Sequence, residues 1–171
     1  MRKQIVFVLA VLLVGLQCNV SGASRCFQPR SVSDELKNST AVFSGMAIAE
    51  EYRPVDIKRD GMLEGGEALV IRFAVERWWK GSGDAEVVLD TSVIRHPGGI
   101  TSFMDEDFTF RVGEKYLVYA FTSNGNLRTN GCRRTKKLEK AEEDLRDLGE
   151  GKLPVRKDDK SQPEKFQETK P

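Results

Sequence analysis

The chain has 171 residues, 39% of them hydrophobic, and carries 27 Lys and Arg against 26 Asp and Glu, a formal charge of +1. So even a balance offers no general electrostatic footprint for nucleic acid or an anionic membrane surface, and the length suits one domain with a modest core. One histidine and three cysteines leave few side chains for metal or nucleophilic chemistry, so the sequence reads as a binding protein rather than an enzyme, with no cofactor.

Arg2 and Lys3 precede an apolar run over residues 5–16 that is interrupted by Gly15, and the small residues Ser21, Gly22 and Ala23 follow. That order is the grammar of a secretory signal peptide. The run is shorter than the about 20 residues that cross a bilayer, so it predicts a removed leader over residues 1–23 and no stable membrane anchor. Cleavage after Ala23 places Ser21 three positions before the cut; cuts after Gly22 or Ser24 remain open. Acylation of Cys18 is disfavoured by the bulk of Gln17 directly before it. The mature chain is expected outside the cytoplasm, secreted, periplasmic or extracellular, where disulfides persist. Cys18 leaves with the leader, and the two remaining cysteines, Cys26 and Cys132, most economically form one bridge. In the chain-entropy model, closing a loop of roughly 100 residues is worth about 4–5 kcal/mol.

Residues 31–37, SVSDELK, read as a short helix with Ser31 or Ser33 as cap and Val32 and Leu36 on one face. Asn38-Ser39-Thr40 fits the glycosylation sequon, which matters in a eukaryotic secretory pathway. TAVFSGMAIAEEY reads as a strand whose alternation fails at Gly45, the mark of a bulge or a tight bend. Residues 53–66 are polar and Gly-containing and are expected to be a mobile loop. EALVIRFAVERWWKG alternates well, with Leu69, Ile71, Phe73 and Val75 on one face. Trp78 and Trp79 are adjacent on that strand and should point to opposite faces, one of them into the core. AEVVLDTS is a further strand, ended by Pro97-Gly98-Gly99, and His96 beside them reads as a solvated loop residue. Asp105, Glu106 and Asp107 make a charged turn without the spacing of a calcium loop.

EKYLVYAFT, a turn at Asn124-Gly125 and a short strand toward Cys132 follow. Leu138, Ala141, Leu145 and Leu148 recur at spacings of three and four, an amphipathic helix ended by Gly149. Residues 150–171 are charged and poor in large apolar side chains, so they are expected to be a disordered tail. The body, residues 24–149, holds 19 Lys and Arg against 21 Asp and Glu, a net of −2. About five short strands with one helix at each end predict a mainly β domain, a five-stranded OB-like Greek-key barrel, expected to be a monomer.

Several stretches together resemble a known family. A cysteine near the mature start, VFSG, FAVERWWKG leading to VVLDTS, a glycine pair before Phe103, VGEKYLVYAF, LRTNGCRRT and the closing AEEDLRDLG look like the tissue-inhibitor-of-metalloproteinases-like family, including its small exported microbial relatives. The resemblance covers about residues 26–149, and its most specific pieces are the Trp-Lys-Gly turn, GEKYLVYA and CRRT. It implies a netrin-type OB barrel. Family chains usually begin Cys-x-Cys, the first cysteine bridged to a Cys-Gly pair in the middle loop and the second to the cysteine after the last strand. Ser24 and Gly98-Gly99 stand at the positions of the first bridge, so both of its halves are missing together and the chain resembles a divergent member. Cys26 and Cys132 match the other bridge. Inhibitors of this kind set the first residue's amine and carbonyl on a protease's zinc and the second side chain in the adjoining pocket. Those roles would fall to Ser24 and Arg25, with Cys26 pinning the segment. The implied function is a secreted protein-binding domain that chelates the zinc of a metalloprotease with its mature N-terminus and holds no metal of its own. The alternative is an extracytoplasmic OB-fold module that binds another protein or a saccharide without inhibiting anything.

Overall fold

A computed structural model of the chain describes residues 30–59, 61–104 and 106–155. The chain opens with α1 (Val32–Asn38), whose first turn is closed by Ser31: its Oγ accepts from the Asp34 amide at 3.1 Å, as an N-cap serine does. The strands β1 (Ala41–Arg59), β2 (Met62–Lys80), β3 (Glu86–Arg95), β4 (Thr101–Ser102), β5 (Lys115–Ser123), β6 (Asn126–Arg128) and β7 (Lys136–Lys137) follow, then a 3-10 turn and α2 (Glu142–Leu148). The fold is mainly β. Five strands close a ring in the order β1-β2-β3-β6-β5, with β5 pairing back onto β1; β4 and β7 are two-residue additions to its edges.

Ring closure bends β1 hard, and the sequence allows for it at Gly45. The β1–β2 register shifts between Ser44 and Gly45, as the broken alternation predicts. A Cβ on Gly45 would lie 2.6 Å from the Ala74 carbonyl oxygen, so only glycine lets the two backbones approach this closely. A second shift, between Val42 and Phe43, passes over Trp79. Trp78 therefore joins the interior with Phe43, Phe73, Leu89, Phe110 and Tyr116, while Trp79 packs on the opposite side with Val42, Leu117 and Tyr119. β5 is buried on both faces: Tyr116, Val118 and Ala120 point inward, and Leu117 and Tyr119 lie under Leu36, Leu145 and Leu148 of the two helices. A continuous apolar run such as YLVYAF is what such a strand requires. Fully burying each Phe or Val is worth about 1.5–3 kcal/mol, and the edge-to-face pair of Phe43 and Phe73, 5.6 Å between centroids, adds about 0.5–1.5 kcal/mol.

Two expectations are corrected. Residues 53–66 are not a loop: β1 and β2 stay paired out to Arg59↔Met62 and project as a hairpin arm beyond the last β3 partner, Arg95. The dipeptide Asp60-Gly61, with Gly61 at φ +83°, is the hairpin signal. Alternation fails to report the arm because neither of its faces has a core to cover. Nor does the body end at Gly149. The Trp78 amide donates to the Lys152 carbonyl at 2.8 Å, the Lys152 amide donates back at 2.7 Å, and the Val155 amide reaches the Gly83 carbonyl at 2.8 Å. This strap needs no apolar content, since backbone bonds hold it; Leu153 remains 72% exposed. Residues 156–171 lie outside the described residues. Among the described residues no helix is long and apolar enough to cross a membrane.

Candidate functional site at the CRRT segment

Of the residues expected to act, Ser24, Arg25 and Cys26 lie outside the described residues, as does the expected leader over residues 1–23. Cys132 is described and is disulfide-bonded. It opens the segment CRRT, and each residue that follows it is tied to a different element. Arg133 donates Nη1 to Glu35 Oε1 of α1 at 2.5 Å and lies over the Phe121 ring of β5, 4.8 Å from its centroid. Arg134 forms a two-pronged bond with Asp144 of α2, Nε to Oδ2 at 2.9 Å and Nη2 to Oδ1 at 2.7 Å. Thr135 accepts the Tyr119 amide of β5 at 2.9 Å.

A third N–H of the Arg134 guanidinium, on Nη1, donates to the Arg30 carbonyl at 2.9 Å. Arg30 also extends its own guanidinium to Glu35, 3.8 Å away. The described chain therefore begins on a clamp built by the residues directly after Cys132. Asp144 is wholly buried and Glu35 is 2% exposed. Buried carboxylates are stable only when paired and hydrogen-bonded, and both are. Burial pushes the Asp144 carboxyl up, but hydrogen bonds from Arg134, Lys136 and Tyr119 outweigh it and hold the group below its ordinary value. Burial first, then the Asp144 charge, pushes the Tyr119 phenol far up, so it stays protonated and donates to Asp144 Oδ2 at 3.0 Å. At 3.3–3.6 Å per extended residue, Ser24 can stand no more than about 22 Å from Arg30 whatever path the chain takes.

Asn38 is exposed at the end of α1, with its Nδ2 donating to the Asp34 carbonyl at 2.8 Å. His96 is not the fully solvated residue expected: its ring is half-buried, Nε2 lies 2.8 Å from Ser102 Oγ, and Nδ1 is shielded from solvent without a partner. Asp107 accepts from Ser92 Oγ of β3 and from the Met104 amide, which closes the acidic turn and ties it to that strand. Among the described residues no three His, Cys, Asp or Glu side chains are placed to hold a metal ion. Beyond β3, the loop carries Ile100, Phe103 and Met104 at 60–70% exposure. Sequence reasoning missed Glu35, Arg134 and Asp144, although both acids interrupt the apolar stripe of their helix: Glu35 follows Val32 by three, and Asp144 follows Ala141 by three. Neither a scan against protein-family models nor a search of curated proteins finds a match to this chain.

Proposed function

We propose that the chain is a secreted protein-binding domain of the kind it resembles, an OB-like Greek-key barrel that offers its mature N-terminus to the zinc of a metalloprotease. The observation that carries this reading is the clamp on Arg30, which fixes the chain a few residues from the proposed start and ties it to the segment that Cys132 opens. The ring order, with its single parallel contact at Asp90↔Arg128, supports the OB-like architecture. Cys26 is then the partner of Cys132, and the Ser24 amine and carbonyl are the groups that chelate, with the Arg25 side chain in the adjoining pocket. Backbone groups do the chelating, so serine suffices in the first position. The amine binds unprotonated and unblocked.

A panel of zinc metalloproteases assayed with wild type, with a variant carrying one added alanine ahead of Ser24, and with Arg25→Ala tests this. The added residue moves the amine by about 3.5 Å, beyond the tolerance of a metal bond of about 2 Å, so inhibition collapses while the fold stays intact. Arg25→Ala shifts which proteases are bound. Equal potency of wild type and the extended form would sink chelation. The second reading, a module that binds another protein through its loops, is favoured by the exposed Ile100, Phe103 and Met104; it takes over if no protease in a broad panel is inhibited.

A further inference from the structure

We propose that Arg134 is a second, non-covalent anchor of the N-terminal segment, holding the chain at Arg30 whether or not the disulfide of Cys132 is intact. The purpose of the anchored segment rests on the function proposed above; the anchor itself does not.

The argument is one of geometry and solvent access. A guanidinium has five donors in a fixed plane. In Arg134 the prongs Nε and Nη2 are committed to Asp144, whose own orientation is set by Lys136 Nζ at 2.8 Å and Tyr119 Oη at 3.0 Å. With the plane so fixed, the two N–H groups of Nη1 point in set directions within it, and the Arg30 carbonyl accepts from Nη1 at 2.9 Å. The Arg134 side chain is 15% exposed, so water competes poorly for these charge-assisted bonds. The next residue, Ser31, is fixed independently. Its carbonyl accepts the Glu35 amide at 2.9 Å and its hydroxyl accepts the Asp34 amide at 3.1 Å. None of these bonds passes through sulfur. A disulfide acts mainly by constraining the unfolded chain, so reducing it lowers global stability without removing the contacts that seat Arg30 in the folded state.

The Arg30–Ser31 peptide is itself a reporter. A trypsin-type protease cutting after Arg30 must take that carbonyl oxygen into its oxyanion hole, which the bond from Arg134 forbids until it opens. At low protease the cutting rate therefore tracks the population of the opened form. Arg134→Lys keeps a cation beside Asp144 but lacks the fork that serves both partners. The experiment is limited trypsin digestion of the full chain, oxidised and reduced, in wild type and Arg134→Lys, with cleavage at Arg30–Ser31 quantified by mass spectrometry and the fold checked by tryptophan fluorescence. Wild type should resist cleavage there in both redox states, and reduced Arg134→Lys should be cut about tenfold faster or more than reduced wild type. Reduced wild type cut as fast as reduced Arg134→Lys, or Arg134→Lys as slow as wild type, overturns the anchor. Should the variant fail to fold, hydrogen exchange of wild type decides. Protection of the Asp34 and Glu35 amides should survive reduction, and its loss would overturn the proposal. Neither readout involves inhibition, so a protease panel with no hits would sink the proposed function and leave the anchor standing.

Discussion

Asp144 receives four donors from three side chains while having no solvent exposure, which makes it the most consequential single charge described. Asp144→Asn should cost about 3–5 kcal/mol in urea unfolding, the penalty for breaking a buried pair from one side, whereas Tyr119→Phe should cost only about 0.5–1.5 kcal/mol. The acid limb follows from the same group. Its folded pKa is depressed, so its stabilisation is fully present above the unfolded value of about 3.9 and is lost as pH falls below that toward the folded pKa. Unfolding free energy measured from pH 6 downward should drop over that window in wild type, with a flatter profile in Asp144→Asn. Cys132→Ser should destabilise by about 2–5 kcal/mol, read the same way. Among single residues, Gly45 and the apolar face of Phe73 were legible because sterics and periodicity act locally. Arg134 and Asp144 were not, since CRRTKK and EEDLRD look like solvated charge until the fold shows which members turn inward.

The arm and the strap are elements held by backbone bonds rather than by apolar burial, and composition reads both as loop or tail. The arm still leaves a trace in Asp60-Gly61 and in Pro54, a residue confined to edge strands and bulges. From Glu50 outward β1 pairs only with β2, so its outer edge is open. The amides of the outer half of the arm should exchange by local opening, well before those of β5. Gly61→Val, which forces a β-branched side chain to positive φ, should speed that exchange at a local cost of about 1–2 kcal/mol while leaving the thermal midpoint nearly unchanged. The strap behaves differently because it seals the end of β2. Truncation after Val155 should leave the midpoint unaltered. Truncation after Gly149 removes three backbone bonds and the one from Arg77 to the Gly151 carbonyl, and should cost about 1–4 kcal/mol. It should also shift the fluorescence of the neighbouring tryptophans.

At the scale of the whole molecule, the five strands of the ring and the helix at each end could be read from pattern, because each reflects burial on a definite face. Closure could not be read so directly: β1 and β5 are joined by pairs such as Val42↔Tyr119 and Phe43↔Val118, and no local signal says which distant strand completes a ring. That closure also sets a timetable. A chain made from its N-terminus can fold α1 and zip the β1–β2 arm early, since both are local, but the interior stays open until β5 has been made, and the strap cannot seat until Lys152 is available. Contacts of such long sequence separation place the domain among slow folders, in the range of milliseconds to seconds. Between the synthesis of Trp78 and that of residue 123 the nascent chain therefore exposes Phe43, Phe73 and Trp78 together, and whatever keeps it from aggregating must act in that interval.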